Sequence, residues 1–324
     1  MRLPSSSFAA PAQAQTTIGQ LAPPSPDPYC INGPYDGAPI GTAAPTYTAP
    51  FSGLVTSWST NATAGLGQEI NFKIYKSLGG GFEEEHFLVV GQSGPQALVP
   101  SVLNTFNVSL PIQAGDVIAL DDDNAIAVPN ACLFQTGNPA DLVTYTEGDA
   151  PNGTMLEAEG HEEGVRFNVT ATILGPPAIT SITPTAGSIE GGTSVVLAGS
   201  DFAQVSGVNF GSVSAKSFAV SSEGQITAVS PPSKTLGKVA ITVTNSAGTG
   251  TSTQLFSYQG CKVPKLTGKK LKAAKKRLRK ADCKLGKVKK QEGATGKTGK
   301  VSKQKPKSGK LLAPGSKVNV TLKP

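Results

Sequence analysis

Between residues 38 and 175 apolar and polar residues alternate in short runs broken by Gly, Pro and Asn, and a period of two restricts this stretch to strands. Ile70, Phe72 and Ile74 alternate with Asn71, Lys73 and Tyr75, and Phe106, Val108 and Leu110 alternate with Asn107 and Ser109. A longer run sets Val165, Phe167, Val169, Ala171 and Ile173 against Arg166, Asn168, Thr170 and Thr172. Successive strand residues point to opposite faces, so each run is predicted to bury one face and wet the other. Further candidates at 53–58, 86–91, 116–120 and 142–146 bring the total to about eight antiparallel strands, a β-sandwich or jelly roll of unassigned specificity. Residues 1–37 read as the remnant of a signal followed by a Pro/Gly-rich lead-in.

Charge divides the chain more sharply than its net +7 implies. After residue 260 lie 22 of the 29 Lys and Arg but only two of the 22 Asp and Glu, so the last 64 residues carry +20 and the rest −13. Such asymmetry points to an anionic partner for the C-terminal part, or to the acidic body of its own chain.

Cysteines stand at 30, 132, 261 and 283, one pair in each of these contrasting regions. That division suggests Cys30 with Cys132 and Cys261 with Cys283, with the other two pairings left open. There is no CxxC and no nearby His, so a disulfide framework in an oxidising compartment is favoured over zinc. Chain entropy gives roughly 3.4 kcal/mol for the shorter loop and about 4.7 for the longer. The N-terminus agrees only in part with export: Ala12 and Ala14 form an A-x-A element, but Leu3 to Ala10 is too short and polar for a signal's apolar core. Either Met1 lies inside a longer signal or the signal has been removed. No run approaches a membrane span.

Two later segments resemble known families. "PPAITSITPTAGSIEGGTSVVLAGSDF", "VNFGSVSAKSF" and "GKVAITVTNSAGTGTSTQLFSY" carry Pro184, Gly187, Gly191, Gly192, Gly199, Phe202, Phe210, Gly211, Phe256 and Tyr258 at positions that resemble the IPT/TIG domain. The resemblance implies an immunoglobulin-like spacer or adhesion module over 176–259. "CKVPKLTGKKLKAAKKRLRKADCKLGKV" with "GKVSKQKPKSGKLLAPGSKVNVTLKP" resembles a PASTA domain over 261–324, on Val263, Pro264, Leu266, Gly268, Leu285, Gly286, Gln304, Pro306, Pro314 and Gly315. It implies one helix on a three-stranded sheet and, from its relatives in bacterial kinases and penicillin-binding proteins, peptidoglycan as a ligand. Residue pattern supports the fold independently, because Leu271, Ala274, Leu278 and Ala281 make one helical stripe that a purely electrostatic tail would not need. The expected whole is a mainly β multidomain protein: N-terminal sandwich, immunoglobulin-like IPT/TIG sandwich and small α+β PASTA domain.

The candidate polyanion contact is the helical segment of Lys269, Lys270, Lys272, Lys275, Lys276, Arg277, Arg279 and Lys280. Residues 261–324 contain no Phe, Tyr or Trp, so sequence-specific nucleic-acid readout by base stacking is not expected, whereas nonspecific attraction to nucleic acid needs only the charge.

Catalytic material is sparse. His86 and His161 are the only histidines, and Ser93 in "GQSGP" lacks the last glycine of a nucleophile elbow and reads as lying between strands. Glu157, Glu159, His161, Glu162 and Glu163 offer metal ligands but read better as an acidic solvated turn. Asp121, Asp122, Asp123 and Asn124 offer hard oxygen ligands of the type Ca²⁺ takes, without EF-hand spacing, against a plain polar loop. Carboxylates from distant strands would suit a secreted carbohydrate-active enzyme, for which Trp58 is the lone indole platform, though it also suits a core. The expectation is a non-enzymatic, extracellular or wall-associated bacterial binding protein with no cofactor, attached by its PASTA module to peptidoglycan or anionic wall polymer.

Overall fold

The computed structural model describes residues 15–23, 29–30, 35–40, 47–79, 85–122 and 131–324. They form two compact units, Gln15–Pro176 and Pro177–Pro324.

In the first unit one four-stranded sheet runs in the order Thr16–Gln20, Val169–Leu174, Gly53–Asn61, Leu103–Ile112. A second runs Met155–Glu157, His86–Ala97, Glu69–Gly79, Val117–Asp121. Their inner faces share one core, in which Trp58 of the first sheet stacks on Phe72 of the second at 5.4 Å between ring centres. Five shorter strands complete the body. Gly160–Glu163, Leu142–Glu147 and Tyr35–Pro39 form one small sheet, and Val165–Phe167 pairs with Leu133–Gln135. Alternation thus yields a sandwich, but with thirteen strands among the described residues.

The described parts of the lead-in lie within this body. Thr16–Gln20 pairs antiparallel with Val169–Leu174, and Tyr35–Pro39 with Leu142–Glu147. A disulfide joins Cys30 to Cys132 close by. The single predicted run over 165–173 is split, because Val165–Phe167 and Val169–Leu174 pair with different partners. The break falls at Asn168, a fully buried residue whose Nδ2 donates to the carbonyls of Asn61 (2.7 Å) and Ala131 (2.8 Å) while its Oδ1 accepts from the Ala22 amide (2.8 Å). One side chain thereby ties lead-in, strand and loop together. Asn168→Ala leaves several buried backbone groups without partners, and a loss of about 2–4 kcal/mol is expected in denaturant unfolding followed by tryptophan fluorescence. A change below 0.5 kcal/mol would show that water replaces it.

The second unit begins with an immunoglobulin-like sandwich. Its sheets are Ala178–Thr183, Ser194–Ser200, Gln225–Val229, Ser217–Ser222 and Val213–Ser214, Gly207–Phe210, Ile241–Asn245, Gly248–Thr251, with Ala186–Ser188, Phe256–Gln259 and Gly237–Val239 alongside. Phe256 packs edge-on between Phe210 and Tyr258, 5.1 Å from each. A single residue, Gly260, separates Phe256–Gln259 from the next strand, Cys261–Lys262. A β-carbon there would lie 2.7 Å from both the Leu312 carbonyl oxygen and Ile189 Cγ2, so the joint is closed to any larger residue.

The last segment packs the helix Leu271–Lys280 on a sheet of Lys284–Lys290, Lys317–Lys323 and Lys300–Lys305, in that order. Ala274 and Leu278 are buried, and Leu271 and Ala281 pack partly against the same core as Val318, Val320 and Leu322. Lys270 at the N-cap makes no side-chain cap and the first turn has no acidic residue, so the helix depends on its apolar stripe and on the Cys261–Cys283 disulfide.

Candidate functional sites

All eight predicted basic residues of the helical segment are exposed. They lie off the apolar stripe by which the helix packs on the sheet. Arg277, Arg279 and Lys280 in the last turn complement the helix dipole, which is a structural use for part of this charge.

The opposite face of the sheet bears a groove that is also basic. Val318, Val320 and Leu322 turn inward, which leaves Asn319 and Thr321 of the same strand pointing out. Register sets Lys289 and Lys303 on either side of Thr321, and Lys305 beside Asn319. Lys287 completes the second row, its amide donating to Asn319 Oδ1 at 2.7 Å. With Lys307 and Lys310 at one end, these residues line a groove of about 810 Å³ that has no acidic residue in its wall. Residues two apart on a strand repeat every 6.6–6.8 Å or so, and the flanking strands stand roughly 9.6 Å apart, so the lysines form two parallel rows over a polar floor. A groove walled by one sign concentrates field lines in a way that an exposed helix does not. Strand alternation held this signal, but the density of lysine around the helix obscured it.

In the first unit the notable cluster is buried. Strand Glu69–Gly79 is covered on both faces from Ile70 to Tyr75, which overturns the expectation that Lys73 faces water. Lys73 is 0% exposed, and its Nζ lies 2.6 Å from Asp36 Oδ1, 2.9 Å from Asp121 Oδ2 and 2.5 Å from Asp149 Oδ1, and donates to the Ala150 carbonyl at 3.2 Å. The Tyr75 hydroxyl donates to Asp36 Oδ1 and the Ala150 amide to Asp36 Oδ2, both at 2.6 Å. Three carboxylates therefore converge on one ammonium. Burial works to lower the Lys73 pKa, but Asp121, Asp149 and Asp36 overcome it and hold the ammonium above its ordinary value. Burial, then the negative charges of Asp36 and Asp121, keeps the Tyr75 phenol protonated well beyond the usual range.

These shifts fix a pH dependence. As a free ammonium, Lys73 with its raised pKa gives stability that is whole below the unfolded value of 10.5 and is lost as pH climbs through the folded value, whereas an amide at that position would not titrate and would leave the tyrosines to set the alkaline limit. Tyr75 has the same sign, because the unfolded phenol ionises near 10.0 while the folded one keeps its proton. Burial raises Tyr47 likewise. Thermal melting of this unit is therefore expected to fall steeply between about pH 9 and 12, with little change from about 6 to 9. A melt flat to the alkaline end would contradict the cluster.

The remaining sequence candidates are dispersed. Asp121 is the last residue of strand Val117–Asp121 and serves Lys73, and Asp122 is buried beside the Cys30–Cys132 disulfide, so neither sits in a solvated calcium loop. Asp123 and Asn124 lie outside the described residues. Ser93 sits within strand His86–Ala97, not between strands, and its Oγ is 3.5 Å from Trp58 Nε1. The acidic segment is no turn: Gly160–Glu163 is a strand, Glu159 accepts from the Glu147 amide at 2.9 Å, and Glu162 accepts from Tyr29 at 2.5 Å. Trp58 is 1% exposed, which removes it as a sugar platform. Two pockets between the small sheet and the core hold only about 20 and 10 Å³, room for water and not for a sugar.

No curated protein matches the chain. Among solved structures, an auxiliary nutrient binding protein from Bacteroides thetaiotaomicron is 20% identical over 28% of this chain and 24% of its own, with a TM-score of 0.21. The full extracellular region of plexin A4 is 15% identical over 69% of this chain and 18% of its own, with a TM-score of 0.25. The chain spans about a quarter or less of either protein's length, and similarity at this level assigns neither fold nor function. Family models are decisive for the second unit, matching the IPT/TIG domain over 177–258 and the PASTA domain over 262–324. These domain types suggest a cell-envelope binding module, and with the two disulfides they are consistent with an extracellular or envelope protein. No helix among the described residues is long and apolar enough to cross a membrane. The chain is thus a β-rich multidomain protein in which an IPT/TIG domain is followed directly by a PASTA domain, after an N-terminal sandwich that has no family assigned.

Proposed function

We infer that this is a non-catalytic bacterial binding protein, secreted or held at the envelope, whose PASTA domain attaches it to the cell wall while the N-terminal sandwich is its displayed end. The observation that carries the reading is the groove: two lysine rows over Asn319 and Thr321 suit a long anionic polymer that lies along the strands. PASTA domains bind peptidoglycan or its fragments, which supports a ligand in the wall. In this reading the groove makes the close contacts, and the lysines and arginines of the helix add long-range attraction.

Co-sedimentation of the full chain with purified wall sacculi tests this, with and without extraction of anionic polymers. Retention at physiological salt is expected, weakening at about 0.5 M, where charges are screened within roughly 4 Å. Binding that survives polymer extraction and high salt would identify peptidoglycan itself as the ligand. No retention at either salt would reduce the lysines to a solubilising surface.

A further inference from the structure

We propose that Lys73 and Asp36 condense to form an amide cross-link inside the N-terminal sandwich. The parts of such a reaction are all present. Nζ is a nitrogen nucleophile 2.6 Å from Oδ1 of a buried carboxyl, and both side chains are 1% exposed. The Tyr75 hydroxyl and the Ala150 amide donate to the two Asp36 oxygens, as donors must if a tetrahedral intermediate at Cγ is to be stabilised. Asp121 Oδ2 stands 2.9 Å from Nζ on the neighbouring strand, in position to take a proton and return it. Held reactants of this kind need no encounter step.

The balance closes without a co-reactant. One ammonium proton passes to Asp36 Oδ1. A second goes to Asp121 as the nitrogen pair bonds to Cγ, and is delivered to Oδ1, which leaves as water. Nitrogen keeps the third proton, Oδ2 remains as the amide carbonyl facing the Ala150 amide, and Asp121 is again a carboxylate. An ammonium and a carboxylate have become an amide and water. One feature favours that direction, the exclusion of water that suppresses the reverse step; against it stands the cost of leaving the buried Asp121 carboxylate without the ammonium. Asp149, 44% exposed on its side chain, is not dry enough to be the acceptor.

The link would tie strand Tyr35–Pro39 to the central strand Glu69–Gly79, six residues beyond the Cys30 disulfide. It would lock the lead-in against proteolysis and extension.

Mass spectrometry of the full chain, denatured and reduced, decides the matter. The expected product is one water lighter than the sequence with the same N-terminus. Trypsin should fail to cut after Lys73, and residues 3–76 should emerge as one peptide with an internal link between 36 and 73. Lys73→Arg and Asp121→Asn are expected at full mass, Asp149→Asn one water light. Wild-type protein at full mass, cleaved after Lys73, would overturn the proposal and leave an ion-pair network. A linked Asp121→Asn protein would overturn the role given to Asp121. Since the wild-type mass is itself the readout, a variant that fails to fold does not affect the answer.

Discussion

Lys73→Met is expected to destabilise the N-terminal sandwich by about 3–5 kcal/mol, with the rest of the chain unaffected. Methionine fills the lysine's space but leaves Asp36 and Asp121 buried without a counter-charge, and removing one partner of a buried pair costs far more than the pair contributes. For a unit of this size the loss corresponds to roughly 10 °C or more in melting temperature. Several domains melt in one chain, so a global probe would blur the effect. Trp58 solves this, being the chain's only tryptophan and buried in the core of the sandwich concerned. Its fluorescence reports that unit alone. The combined Lys73→Met, Asp36→Asn, Asp121→Asn protein should recover the part of the loss that comes from stranded charges, and none of the part that comes from a covalent link between residues 36 and 73. A Lys73→Met protein that melts like the parent would mean that the carboxylates are neutral or wet.

Reversing the groove, with Lys287, Lys289, Lys303 and Lys305 all changed to Glu, is expected to weaken wall binding by a hundredfold or more. A lysine near an anionic surface contributes on the order of 1 kcal/mol, and four reversals both remove attraction and add repulsion. All four side chains are exposed, so the fold should hold, and an unchanged circular-dichroism melt confirms that. The matched control reverses Lys272, Lys275, Lys276 and Lys280 on the helix, which alters net charge equally. A tenfold loss or less is expected there. Equal losses from both sets would show that only total charge matters and that the groove is not a site.

How far the sequence was legible depended on whether a signal was local. IPT/TIG and PASTA could be read because their turn glycines and apolar stripes recur at fixed spacing. Tyr35–Pro39 could not: its sequence, YDGAP, holds three residues that disfavour strands, and it forms one with its aspartate buried against Lys73. Lys73 itself stood in a clean alternation that implied one wet face, since nothing nearby announces that Asp36, Asp121 and Asp149 close over it. Asn168 was similarly opaque. It stood on the polar side of the alternation over 165–173 and so read as facing water, whereas its three hydrogen-bond partners lie 37 to 146 residues away.

The joint at Gly260 has a mechanical consequence. Tension entering the PASTA domain from the IPT/TIG side arrives at Cys261 without slack and crosses at once to Cys283 through the disulfide. The 21 residues between them, helix included, stand outside the load path. Under pull the oxidised domain would yield roughly 75 Å less chain than the reduced one, so a reducing environment would lengthen the tether before it broke it.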